Sequence, residues 1–528
     1  MAPSFEEQVG YYYGLHSRPK LVARSSTDPW VSKFDFATQY PIGKLLNPVG
    51  RHPIVGLWNT ELQRDIVLAL DGIQWNVIDV LRLGYERVLN TPEDAEQPEH
   101  PVTLLISVKE DSTPWEQGHA VVMRCREILQ QHGISDVHCE MKEAQVFPHT
   151  STSPPNAPLS APKLHSGVVD KPVEINGFLS TYLGHSIATF DHPSREGTKC
   201  LYLRRKDTGQ VLALTCRHVV IPDTAPNEDY TYDESKIESR ITVIQPGSTT
   251  LAEAKECISS RCQDIDETIK SLEAFPRMTP DVKASQVASE LATRSSYEET
   301  ARRLDELDEP STRIIGHVLF SPKYGTGIRS TDEWTAHRLR DWALIELHPD
   351  KHASPLENLR NEVTVPEEAS FELSKALRVE NLQVTQKVFN NPLTKTVELR
   401  GTIPEGELRP HHQKAILVAK HGRSSQFTIG PANNVMSLKR QSIDGIELVS
   451  EEWCILGQRK WGGKRLWFSE EGDSGSCIWD CQGRVGGMLT AGNRSFHLDC
   501  DTTFATPIEW LLEDIRAYGY DVELVGDE

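Results

Sequence analysis

Long apolar runs are missing from this chain of 528 residues. The longest, such as residues 416–419, is far too short to span a bilayer. Residues 1–20 hold Glu6, Glu7 and a tyrosine cluster but no apolar centre, so no secretory signal is expected. Cysteine is scarce, at 10 residues, and without an export signal the thiols are expected to be reduced. Basic residues are in deficit: 56 Lys and Arg face 76 Asp and Glu, a net charge of −20. That balance excludes a general binder of nucleic acid or of anionic membranes. The expected location is intracellular, in the cytoplasm. Zinc spacing is also lacking. The pairs Cys477/Cys481 and Cys257/Cys262 have no second pair, and His411-His412 lies in a loop beside Pro410, so neither a metal nor a cofactor is expected.

What is present reads as a folded protein with polar insertions. Hydrophobic residues make up 38% and charged residues an ordinary 25%. The length corresponds to about three domains. Residues 1–146 suggest an α/β domain. The run 101–108 reads as a buried strand and 137–141 as a second one. Between them, Thr113, Pro114 and Glu116 suggest a capping box opening a helix, with Val121, Cys125, Ile128 and Leu129 on one face and Gly133 as its stop. Helical patterns precede this unit at 62–70 and 77–88. The region has no glycine-rich phosphate loop, and it is either a partner-binding domain or a packed domain without chemistry. Residues 147–172, rich in Pro and Ser, read as an exposed linker.

From residue 173 the texture changes to short strands with turn signals: 186–190, 200–204, 211–214, 241–244, 314–320, 342–347, 415–419 and 485–490. Asp207-Thr208-Gly209 marks a hairpin turn. Such a pattern suggests a β-sandwich or barrel. A charged, helix-friendly stretch at about 249–308 interrupts it. Ile258, Ile265, Ile269 and Leu272 keep helical spacing in its first half; Val287, Leu291, Tyr297, Ala301 and Leu304 do so in its second. Pro276 and Pro280 separate the halves, so an antiparallel helical hairpin is expected. It is either an arm for a protein partner or a decoration folded onto the barrel.

Three segments carry chemistry: Ala213-Leu-Thr-Cys-Arg-His218-Val-Val, Arg340-Asp341-Trp-Ala-Leu-Ile-Glu-Leu347, and Glu471-Gly472-Asp473-Ser474-Gly475-Ser476-Cys477. Singly, a His at a strand end or an Asp before one is usually structural. In the order His, Asp, Ser, each at a strand edge, the set resembles the chymotrypsin-like serine peptidases, in a non-secreted branch. The resemblance extends to 421–430, to 485–492 and to 504–508. There Thr506, Pro507 and Glu509 suggest a capping box for a closing helix whose apolar face is Ile508, Leu511, Leu512 and Ile515. It covers about 175–520 apart from the insertion.

The resemblance implies an all-β double barrel over 173–520 and a serine endopeptidase acting on protein or peptide substrates. Its catalytic residues would be His218 as base, Asp341 as orienting carboxylate and Ser474 as nucleophile. The backbone N–H groups of Gly472 and Ser474 would form the oxyanion hole. Phe468, Thr490, Ala491 and Gly492 would line the substrate cleft. Secreted members carry a cysteine where Val219 stands, and Gly-Pro where Ser476-Cys477 stands; neither change removes a catalytic group. An α/β-hydrolase would need Gly-x-Ser-x-Gly and the order Ser, Asp, His, which this chain lacks. The rival reading is a silent or latent protease-fold scaffold, suggested by the N-terminal domain, linker and helical arm.

Overall fold

The computed structural model describes residues 2–15, 17–35, 39–86, 100–148, 180–222, 224–330, 335–365, 396–409, 415–459, 465–494 and 502–527. Most of the 147–172 linker and His411-His412 lie outside the described residues. The molecule is mostly β-sheet, with several helices. Among the described residues no helix is long and apolar enough to cross a membrane.

The N-terminal part contains β1 (Leu21–Arg24), helix α1 (Gln63–Ala69), β2 (Trp75–Tyr85), β3 (Val102–Val108), α2 (Trp115–Gln131) and β4 (His138–Glu143). Strands β3 and β4 pair in parallel across α2, as a βαβ unit requires. Two expectations are corrected here. Residues 77–86 are not helical: Val77, Ile78 and Val80 belong to β2, which is buried on both faces and flanked in the sheet by β3 and a strand of the C-terminal part. A strand covered on both sides reads as a near-continuous apolar run, which periodicity does not separate from a helix. The capping box at Thr113 does not form either. Pro114 is the N-cap and makes no side-chain bond, and the Thr113 hydroxyl turns to Ser112 Oγ at 3.3 Å.

A short strand, β5 (Gln145–Pro148), ends this part. The next described elements are β6 (Ser186–Thr189), β7 (Glu196–Thr198), β8 (Leu201–Arg205), β9 (Val211–Thr215) and β10 (Thr242–Ile244). The hairpin turn at Asp207–Gly209 joins β8 to β9, closed by Gly209 N–H donating to Arg205 O at 2.8 Å. Helices α3 (Ser248–Ala274) and α4 (Pro280–Asp305) then form the hairpin. Ile258, Ile265, Tyr297 and Leu304 are buried in its seam, while Leu291 is exposed. Lys255 pairs with Asp305 and Asp308, and Arg294 with Asp266 across the two helices. Strands β11 (Ile314–Ser321) and β12 (Ala343–Leu347) follow.

The rest comprises β13 (Leu417–Gly422), β14 (Gln426–Pro431), β15 (Ser437–Ile443), β16 (Ile446–Leu456), β17 (Cys477–Asp480), β18 (Val485–Arg494), β19 (Thr502–Pro507), helix α5 (Ile508–Ala517) and β20 (Val522–Leu524). Ile508, Leu511, Leu512 and Ile515 of α5 are buried as their spacing predicts. The expected capping box is not formed. Pro507 is the N-cap, Thr506 sits in β19, and Glu509 accepts from Glu405 N–H at 2.8 Å.

Two large sheets result. One runs β20-β8-β9-β12-β11-β10-β6-β7. The other, of 13 strands, runs β1-β4-β3-β2-β15-β16-β19-β18-β17-β13-β14, with β5 added to β18 and the short strand Lys44–Asn47 added to β2. It is therefore continuous between the N-terminal βαβ unit and the C-terminal strands, joined where Val77 and Ile78 pair with Lys439 and Leu438. The seam is tied further by Trp58 Nε1–H to Met436 O at 3.1 Å and by Val49 N–H to Asn433 Oδ1 at 3.0 Å. The largest apolar core draws on both sheets and on α5.

Candidate active site

His218 opens from β9 on a short helical turn, Arg217–Val220. The Arg217 guanidinium anchors that turn by donating to Pro322 O at 2.8 Å and Glu228 O at 3.0 Å. Asp341 stands just before β12, whose Ala343 pairs with Thr215 of β9. This pairing brings the two side chains together. His218 Nδ1 donates to Asp341 Oδ2 at 2.6 Å, and His218 backbone N–H donates to Asp341 Oδ1 at 3.1 Å. Both side chains are buried. Burial alone would raise the Asp341 carboxyl, but the His218 ring and its hydrogen bonds hold it below the usual carboxylate range. In the tautomer that carries its proton on Nδ1, Nε2 is the acceptor of the ring. Nε2 is buried and makes no hydrogen bond.

Ser474 lies in the turn between Glu471 and β17. Two glycines in the left-handed region shape it, Gly472 at φ +100° and Gly475 at φ +90°. A Cβ on Gly475 would meet Thr198 O at 2.2 Å and Thr215 Oγ1 at 2.7 Å, so the loop is pressed against the end of β9. Cys216 Sγ–H and Gly475 N–H share the Leu489 carbonyl, at 3.2 and 2.8 Å. The histidine turn and the serine loop are thereby packed together. The Ser474 hydroxyl itself donates to Thr490 O at 3.1 Å and is wholly buried. The hydroxyl-to-imidazole bond is not made in this conformation.

Asp473 is the best-secured residue of the loop. It accepts from Glu470 N–H at 2.9 Å, Ser424 N–H at 2.9 Å and Ser425 N–H at 3.2 Å, as well as from the Ser425 hydroxyl. Lys420 Nζ stands 3.2 Å from its Oδ2, and both side chains are wholly buried. Burial would raise the Asp473 carboxyl, but the Lys420 ammonium and these donors hold it below the ordinary range. Lys420 was not singled out from sequence. Its signal is a charge ending the apolar run 416–419. Behind it, burial lowers the His421 imidazole to about 4, so this ring is neutral.

The other expected site residues fall as follows. Thr490, Ala491 and Gly492 lie on β18 beside Ser474. Phe468 is buried in an apolar core with Ile455 and Ile478, and its carbonyl accepts from Thr428 Oγ1 at 2.7 Å. The edge of β18 carries β5 in antiparallel pairing, with Ala491 opposite Pro148, Gly492 opposite Phe147 and Asn493 opposite Val146. Cys216 Sγ, a His218 ring nitrogen and an Asp341 oxygen lie within 4.8 Å of one another and could hold a metal ion, but burial raises the Cys216 thiol well above its usual range. Metal binding would require the thiolate. None of the nine described cysteines is in a disulfide.

No family model matches the chain, and no curated protein matches it. Among solved structures, a glutamic acid specific serine protease, described as using a novel histidine triad in substrate binding, aligns at 9% identity. That alignment covers 65% of this chain and 99% of that one, with a TM-score of 0.27. A chymotrypsin of Cellulomonas bogoriensis aligns at 13% identity over 40% of this chain and 79% of that one, with a TM-score of 0.21. Likenesses this slight carry no argument, and the functional case rests on the residues.

Proposed function

We propose that the chain is a serine endopeptidase built on a chymotrypsin-like pair of β-barrels, and that the conformation described is latent. The observation that carries the reading is the buried His218–Asp341 pair, at 2.6 and 3.1 Å, packed against the loop of Ser474. Asp341 fixes the tautomer with the proton on Nδ1, so Nε2 is the base. Once the Ser474 hydroxyl turns from Thr490 O, its oxygen attacks the peptide carbonyl carbon as its proton passes to Nε2. The backbone N–H groups of Gly472 and Ser474 hold the oxyanion. Collapse expels the amine, which takes the proton from His218, and leaves an acyl-enzyme. Water, deprotonated by His218, then releases the acid.

Latency is supported by the state of the cleft. An extended peptide reaching Ser474 would run along the β18 edge at Thr490, Ala491 and Gly492, adding a strand through main-chain hydrogen bonds. The chain's own β5 lies on that edge. Ser474 is also wholly buried. A fluorophosphonate probe tests both points. We expect weak labelling of wild type, none of Ser474→Ala, and severalfold stronger labelling of Val146→Pro, because proline removes a donor from the strand and breaks its pairing. If wild type and Val146→Pro both stay unlabelled where a known serine peptidase labels, the chain is a silent scaffold and the enzyme reading is wrong.

A further inference from the structure

The helical hairpin was expected to be an arm or a decoration. Whichever it is, its root is wired to the nucleophile loop. Glu196, at the start of β7, is wholly buried. Its carboxylate accepts from Thr250 N–H at 2.9 Å and Thr250 Oγ1–H at 2.6 Å, both in the first turn of α3. It also accepts from Arg423 Nε–H at 2.6 Å. A Cβ on Gly247, just before α3, would meet Glu196 Oε1 at 2.3 Å, so the helix start closes directly over the carboxylate. Arg423 reaches the same helix a second time, donating from its NH2 group to Glu253 at 3.2 Å.

From this root two paths lead to Ser474. Along β7, Thr198 is two residues beyond Glu196. Its N–H donates to Ser474 O at 2.8 Å and its hydroxyl to Gly472 O at 3.0 Å. Along the segment after β13, Arg423 N–H donates to Thr198 Oγ1 at 3.1 Å. Ser424 N–H holds Asp473 at 2.9 Å, and the Ser424 hydroxyl donates to Glu471 O. Arg423 also packs on the loop itself: a Cβ on Gly472 would meet Arg423 Cδ at 3.0 Å. The same stretch touches the base, since the Arg195 guanidinium donates to His218 O.

A buried carboxylate without its cation is costly, so Glu196 and Arg423 must stay together. Keeping them together fixes β7 and the 423–425 segment relative to each other. Those two segments grip the carbonyls of Glu471, Gly472 and Ser474 and the carboxylate of Asp473. We infer that Arg423 is a positioning residue for the proposed reaction, and that the α3 root, through Glu196 and Arg423, sets the geometry of the Gly472–Ser474 loop. This rests on the peptidase reading for its catalytic meaning, but the mechanical coupling stands apart from it.

The experiment is amide hydrogen exchange on the full chain, comparing wild type with Arg423→Met, Arg423→Lys and Thr250→Val, alongside the rate and half-saturation of fluorophosphonate labelling. Losing a charge-assisted hydrogen bond should speed exchange in peptide 469–477 at least about tenfold in Arg423→Met. Exchange in β3 should not change. Arg423→Lys should recover part of the protection, because an ammonium still neutralises Glu196. Thr250→Val, which removes one donor from outside the barrel strands, should show a smaller change of the same kind and carries the test if Arg423→Met does not fold. The maximal labelling rate should fall with half-saturation unchanged. Unchanged exchange at 469–477 in the folded variants overturns the inference, as does faster exchange spread evenly over β3 and the loop, which would make the cluster a general stabiliser. Faster loop exchange in the variants, with wild type, the variants and Val146→Pro all unlabelled, upholds the coupling and rejects the peptidase reading.

Discussion

Replacing Lys420 by Met isolates the buried pair that holds the Ser474 loop. Methionine is close to lysine in length and volume, so the packing change is small. The electrostatic change is large, because it leaves Asp473 buried without a counterion. Removing one partner of such a pair costs about 3–5 kcal/mol. Asp473 keeps its bonds from Glu470, Ser424 and Ser425, which places the expected loss near the low end, at about 3 kcal/mol. Lys420 also gives up its bonds to Ser425 Oγ at 2.6 Å and Gln426 O at 3.2 Å. The assay is denaturant unfolding of wild type, Lys420→Met, Asp473→Asn and the double variant. In the double variant no stranded charge remains, so the cycle should show a coupling of about 2 kcal/mol. The pH dependence has a defined sign. The folded-state Asp473 carboxyl is depressed, so its contribution is present above the unfolded value of about 3.9 and is lost as pH falls through the folded value. Without Lys420 the carboxyl rises, and protonation then relieves the stranded charge. The gap between wild type and Lys420→Met should therefore narrow from pH 7 towards pH 4. A coupling below about 0.5 kcal/mol, the scatter of independent sites, would refute the reasoning. So would a gap that widens on acidification.

Three further outcomes are expected. Asp341→Asn should fold but lower probe labelling on the order of 10³- to 10⁴-fold, because the imidazole loses the carboxylate that fixes its tautomer; labelling within tenfold of wild type would remove Asp341 from the proposed mechanism. Trp58→Ala should cost about 3–5 kcal/mol and speed amide exchange at 433–441, since its ring fills the N-terminal core and its N–H holds Met436 O; a loss confined to residues 54–70 would contradict the continuous seam. Mass spectrometry of brief native alkylation should find Cys257 and Cys262 modified first among the described cysteines, because the other seven are buried; early modification of Cys216 or Cys477 would show that the loop region opens.

Local structure was legible in the sequence where a short segment carries its own context. The α5 face of Ile508, Leu511, Leu512 and Ile515 needs only helical spacing, and α3 and α4 show by length, charge and the prolines between them. The His218, Asp341 and Ser474 segments each stand at a strand edge, and the β9–β12 pairing then joins the first two. What local pattern did not carry is pairing between distant segments. Nothing in 77–88 announces that Val77 will pair with Lys439, and the doubly covered strand imitates a helix. The capping box at Thr506 failed for a related reason: Thr506 is drawn into β19 and Glu509 is engaged by Glu405, so tertiary partners outbid the local motif. Glu196, Arg423 and Lys420 are single charges in apolar or polar neighbourhoods whose roles exist only after the two sheets close over them.

The seam between β2 and β15 has a consequence for chain connectivity. The covalent path from 148 to 180 and the hydrogen-bonded path through Val77–Lys439 and Ile78–Leu438 join the same two halves in parallel. One of these routes is redundant. A single cut between residues 149 and 179 would divide the polypeptide without dividing the sheet, and the pieces should travel as one particle until denatured. Made separately, 1–148 would uncover the edge of β2 at Val77 and Ile78, a surface that invites strand pairing with any neighbour. The two halves are thus better regarded as complementing fragments than as beads on a string.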